Sequence, residues 1–257
     1  MPKAKVNGIN LNFNVEGNGE PLILIMGFAG VRNAWVFQTR AFKKHFRVIT
    51  FDNRGVGKTD KPDGPYTIKM MADDTIGLMD HLAIDKAHIL GISMGGMIAQ
   101  EIAINYPDRV KKLVLGCTSA SSETAPEVIR VVETISLGGV NAWKGLAMLC
   151  QSAINNRLLR VAQLQMFWMH TLSGGTKGLA GQAEAVRHHN TLDRLHMIGI
   201  PTLVIAGTLD RIIPPNSSDV IADLIPDARL VKIEDGSHVF FVDQRDRFNQ
   251  EVIEFLQ

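Results

Sequence analysis

Ala87-His88-Ile89-Leu90-Gly91-Ile92-Ser93-Met94-Gly95-Gly96-Met97 is the stretch that decides the fold. It begins as an apolar run, the pattern of a strand buried on both faces of a parallel sheet. It then passes through Gly-x-Ser-x-Gly and continues at once as a helix pattern. A strand-to-helix turn this sharp holds its serine in a strained backbone conformation with the hydroxyl exposed. Strand and helix crowd together there, so the positions two before and two after the serine must be small, and Gly91 and Gly95 fill them. The Met94 N–H then points to where an oxyanion would form, and the helix N-terminus adds a favourable dipole. The plainer reading is a tight packing turn with an inert serine. The strand-turn-helix setting favours a nucleophile.

Similar apolar runs recur at Leu22–Met26, Val48–Phe51, Leu113–Gly116 and Thr202–Gly207. Helical patterns separate them over residues 35–46, 67–82, 94–106, 216–224 and 240–256. Alternation at this spacing implies right-handed crossovers and a mostly parallel sheet. Asn7-Gly8 joins two alternating runs at the N-terminus, which adds an antiparallel hairpin at one edge. The rhythm breaks over residues 119–195, which are helix-like and rich in large apolar side chains. The expected organisation is a core of residues 1–118 and 196–257 with a helical cap, 119–195, inserted in it; the alternative is an independent helical domain.

Composition narrows the classes further. The chain has 257 residues and 27 basic against 26 acidic side chains. Near-neutral charge argues against a broad nucleic-acid-binding face. Two cysteines in a chain of this length make a disulfide framework implausible, which suits a reducing compartment. The N-terminus carries no apolar segment behind its lysines, and no apolar run approaches the length of a membrane span, so the expectation is a cytoplasmic protein. His188 and His189 are adjacent rather than one helical turn apart, so no metal is expected, and no phosphate or dinucleotide loop survives inspection: Asp52 stands where a phosphate loop before Gly57-Lys58-Thr59 needs glycine. No cofactor is called for.

A serine hydroxyl needs a base, and the base an acid to orient it. His238 lies beyond the last sheet strands, in a loop after Arg229–Ile233, where parallel sheets place active-site groups. Asp210 follows Thr202–Gly207 and completes the order Ser, Asp, His. Asp235 is the rival acid, but three residues from His238 it reads as a turn residue. The loop after the previous strand, Cys117-Thr118-Ser119, offers no carboxylate until Glu123. A second oxyanion donor is expected from Gly27-Phe28-Ala29-Gly30, pairing the Phe28 N–H with that of Met94.

With these motifs in order, the chain resembles the α/β-hydrolase superfamily over essentially its whole length. Phe51-Asp52-Asn53-Arg54-Gly55-Val56-Gly57-Lys58-Thr59 is similar to that family's Asp-x-Arg-Gly-x-Gly-x-Ser segment, with Thr59 in place of Ser. The resemblance implies that Asp52 and Arg54 are scaffolding. Gly91–Cys117 is similar to the 3-oxoadipate enol-lactonases, arylesterases and cofactor-free haloperoxidases. Met26-Gly27 departs from the His-Gly of many members, and Ser93 departs from the carboxylate nucleophile of haloalkane dehalogenases and epoxide hydrolases. The implied fold is an eight-stranded, mostly parallel sheet flanked by helices. The implied activity is hydrolysis of a small ester or lactone, with perhydrolysis, carbon–carbon bond hydrolysis and a slow-hydrolysing ligand receptor as alternatives. Trp143, Met148, Met166, Phe167 and Trp168 of the cap are candidates to line the substrate pocket, although apolar stripes at helical spacing are more often plain core. Oligomeric state is not encoded in any motif.

Overall fold

The computed structural model describes residues 2–122, 126–137, 139–153 and 177–257. Eight strands, β1 (Lys3–Val6), β2 (Ile9–Glu16), β3 (Pro21–Ile25), β4 (Arg47–Phe51), β5 (Ala87–Ile92), β6 (Val110–Gly116), β7 (Thr202–Gly207) and β8 (Ala228–Ile233), form one sheet in the order β1-β2-β4-β3-β5-β6-β7-β8. β1 and β2 are the antiparallel hairpin, and β2 pairs antiparallel with β4. All pairings from β4 through β3 to β8 are parallel. The central strands are apolar for the reason the sequence suggests: all six residues of β5 and of β7 are buried.

Helices α1 (Val36–Phe42), α2 (Ile68–His81), α3 (Met94–Asn105) and α7 (Asn216–Leu224) link successive parallel strands. The chain steps one way across the sheet from β3 to β4 and the other way from β4 to β5. Right-handed crossovers therefore put α1 on one face and α2, α3 and α7 on the other. The reversal leaves a crevice beyond the carboxyl ends of β3 and β5, which are direct neighbours with Ile25 opposite Gly91. Parallel sheets bind ligands at such a reversal.

Between β6 and β7 lie α4 (Pro126–Ser136), α5 (Gly139–Ala153) and α6 (Lys177–Arg187), then a 3₁₀ turn over Leu192–Met197. α4 packs against both α5 and α6. The chain leaves and re-enters the core at one place. Ser121 and Asn190 form an antiparallel bridge, and the Thr191 N–H donates to the Ala120 carbonyl at 2.8 Å. Helix α3 clasps this neck: Gln100 Nε2 donates to the Ser119 carbonyl at 3.1 Å, and Glu101 takes a two-pronged ion pair from Arg194.

The last helix pattern departs from the sequence reading. Residues 240–256 form two helices, α8 (Phe240–Asp243) and α9 (Arg245–Leu256). They are separated at Gln244, where φ is −119°. The break lets Asp243 turn back and accept a hydrogen bond from Ser237 Oγ, beside the loop that carries His238.

Candidate active site

Ser93 sits between β5 and α3 with φ at 53° and ψ at −125°. A side chain pays a steric penalty at positive φ, so the surroundings must enforce it. They do so by close packing. A Cβ at Gly91 would overlap the Gly95 carbonyl, and one at Gly95 would overlap the Ile25 carbonyl of β3. The Ser93 N–H is tied to the Gly116 carbonyl at 2.9 Å, and the Ser93 carbonyl accepts from Thr118 Oγ1 at 2.8 Å.

The structure brings the two other predicted groups to this serine. His238 Nε2 lies 3.1 Å from Ser93 Oγ, and His238 Nδ1 lies 2.7 Å from Asp210 Oδ2. The second carboxylate oxygen of Asp210 accepts from the N–H groups of Ile212 (2.9 Å) and Ile213 (3.0 Å). Asp210 is thus held at both oxygens with its side chain 1% exposed; a carboxylate accepts Nδ1–H, which leaves Nε2 facing Ser93 Oγ. Asp235 is a turn residue, at φ 55° with its N–H on Thr208 Oγ1. Cys117, at the carboxyl end of β6, is buried; burial and then the Asp210 charge push its thiol well above the ordinary range, so it stays protonated.

Phe28 and Met94 line a narrow pocket with Ser93, about 20 Å³ in volume. Met94 opens α3, so its N–H has no helical acceptor behind it. The rest of the described lining is apolar: Met97, three valines of α4 (Val128, Val131, Val132), Leu149, Val186, Ile212 and Ile213. Trp143 and Met148 pack half-buried against the core and are not among these lining residues. Met166, Phe167 and Trp168 fall outside the described residues. Among the described residues no group of three or more His, Cys, Asp or Glu side chains could hold a metal, and no helix is long and apolar enough to cross a membrane.

Asp52 and Arg54 scaffold the turns around the pocket. Asp52 accepts from Asn12 Nδ2 and from the N–H groups of Arg32 and Lys58. Arg54 makes a buried two-pronged pair with Asp74, at 2.6 and 2.7 Å. Two side-chain amides that the sequence did not single out hold the Phe28 loop: Asn53 Nδ2 on the Met26 carbonyl (2.9 Å), and Gln182 Oε1 on the Ala29 N–H (2.9 Å).

Residues 20–244 match the model of the alpha/beta hydrolase fold family. The chain belongs to this family. A poly(3-hydroxyalkanoate) depolymerase of Ectopseudomonas oleovorans is 32% identical over 92% of this chain and 84% of its own. A Mycobacterium tuberculosis protein that carries the name of a non-heme bromoperoxidase is 31% identical over 96% of this chain and 98% of its own. Among solved structures, the enol-lactonase from Burkholderia xenovorans LB400 superposes with a TM-score of 0.87 at 30% identity, covering 99% of both chains. The α/β-hydrolase fold with its mostly parallel eight-stranded sheet is therefore established from the strand order and from these likenesses alike.

Proposed function

We propose that this protein is a serine hydrolase that cleaves a small carboxylic ester or lactone through an acyl-enzyme on Ser93. The observation that carries the reading is the unbroken line from Ser93 Oγ through His238 to Asp210, at 3.1 and 2.7 Å. His238 takes the serine proton as Oγ attacks the carbonyl carbon, and the Phe28 and Met94 N–H groups receive the oxyanion. The protonated imidazole gives its proton to the leaving alkoxide. Water, deprotonated by the same nitrogen, then releases the acid. Residues 119–195 act in this reading as a cap that roofs the pocket. The valines of α4 beside Ser93 support an uncharged, apolar substituent on the substrate.

The relative bearing a bromoperoxidase name favours a second use of the same groups, in which peroxide in place of water attacks the acyl-enzyme and a peracid leaves. A fluorophosphonate probe tests the common ground. Wild-type protein should be labelled on Ser93 and hydrolyse p-nitrophenyl acetate, and Ser93→Ala should do neither. A folded wild-type protein that resists the probe would refute the acyl-enzyme mechanism.

A further inference from the structure

We propose that Gln182 is a positioning residue for the oxyanion loop, so that docking of α6 on the core sets the placement of the Phe28 N–H. The inference rests on the serine-hydrolase reading above. Gln182 is fully buried and uses both ends of its amide: Oε1 accepts from the Ala29 N–H at 2.9 Å, and Nε2 donates to the Arg54 carbonyl at 2.8 Å. Ala29 follows Phe28 directly and stands at φ 57°, a left-handed conformation that a residue with a Cβ rarely holds unaided. The turn closes with the Gly30 N–H on the Gly27 carbonyl, and Gly27 is so near the nucleophile that a Cβ there would meet Ser93 Cβ at 3.0 Å. A shift at Ala29 is therefore a shift of the Phe28 amide relative to Ser93.

The other end of the tie is rigid. Arg54 is fixed by its two-pronged pair with Asp74, so its carbonyl is a firm anchor. α6 reaches this anchor because two small residues let it come close. A Cβ at Gly178 would overlap the Gly55 carbonyl, and one at Gly181 would meet the Tyr66 ring. The loop is thus held by one amide from the core, Asn53 on the Met26 carbonyl, and one from the segment between β6 and β7. Gln182 does not touch the reacting atoms in this arrangement; it acts through Ala29.

Steady-state hydrolysis of p-nitrophenyl acetate by Gln182→Met and Gln182→Glu tests this, with folding checked by melting at each assay pH. Methionine fills the volume but bonds neither Ala29 nor Arg54. Loss of one oxyanion donor costs on the order of a hundredfold in kcat, so a displaced donor should cost roughly tenfold, with KM within about twofold of wild type. Protonated glutamate reproduces both bonds, whereas the carboxylate repels the Arg54 carbonyl. Gln182→Glu should therefore approach wild-type kcat at acidic pH and lose ground to wild type as pH rises, and the Gln182→Met ratio should stay flat. An unchanged kcat in Gln182→Met, a KM rise alone, or a Gln182→Glu ratio that ignores pH overturns the proposal. If wild type is labelled on Ser93 by the fluorophosphonate, such a result removes this inference alone. If wild type is not labelled, the serine-hydrolase reading falls and takes this one with it.

Discussion

His189 at the neck should make this protein acid-sensitive. Its ring is buried and lies beside Glu101 and Arg194, with Nε2 at 3.5 Å from Thr191 Oγ1. Burial first, and then the Arg194 charge, push its pKa down from 6.5 to about 4, against the opposing pull of Glu101. The unfolded chain takes up a proton near pH 6.5 that the folded chain refuses until about pH 4. The contribution is fully present above the unfolded pKa and is lost as pH falls through the window between the two values. At 1.36 kcal/mol per pKa unit, this window corresponds to about 3 kcal/mol, of which about 2 kcal/mol is gone by pH 5. Urea unfolding of wild type and of His189→Gln at pH 7 and pH 5 isolates the effect, because other titrating groups cancel in the difference. Wild type should lose about 2 kcal/mol more than the variant between these pH values. Equal losses would show that the ring is protonated in the folded chain without penalty, and that burial at the neck does not control it.

Two substitutions test the packing around Ser93. Asp74→Ala leaves the Arg54 guanidinium buried without its partner, for which side-chain exposures of 7% and 2% predict a loss of about 3–5 kcal/mol in urea unfolding; a loss under about 1 kcal/mol would contradict the assignment of this pair as scaffold. Gly95→Ala drives a methyl into the Ile25 carbonyl at the end of β3. It should cost about 1–3 kcal/mol of stability and lower esterase kcat by displacing the oxyanion loop from Ser93, whereas wild-type turnover in a melting-checked sample would refute the close packing.

Where local pattern and buried environment coincide, the sequence was legible. β7 and α7 have the predicted ends, and most other strands shift by a residue at most. β6 starts three residues earlier than its apolar run because Lys111 and Lys112 interrupt the pattern where the register against β5 shifts, between the Ala87–Val110 and Ile89–Leu113 pairs; Lys111 pairs with Glu20, and Lys112 reaches the Phe255 carbonyl. The geometry of Ser93, Asp210 and His238 was foreseeable because each has its own local sign, a small-residue turn or a loop after a buried strand. Gln182 has none. Its partners lie 128 and 153 positions away, and nothing within α6 announces them except the small residues Gly178 and Gly181 on the approaching face. Apolar candidates between β6 and β7 were the least legible, since a tryptophan or methionine on a helix is the same letter whether it meets core or substrate; the two that are described, Trp143 and Met148, pack against the core, while Val128, Val131 and Val132 are among the described residues at the pocket.

The bridge between Ser121 and Asn190 carries a consequence for how this chain can vary. Residues paired in a β-bridge stand only about 5 Å apart, so the long excursion between them begins and ends at nearly the same point. Both of its roots are gripped by Gln100 and Glu101, on the same rigid helix whose first turn presents Ser93. Lengthening, shortening or exchanging the excursion should leave the geometry of its two roots intact, and with it the frame that holds Ser93. Under the proposed function, substrate choice and placement of Ser93 would be separable in this way, with Gln182 the thread that a transplanted segment must bring with it.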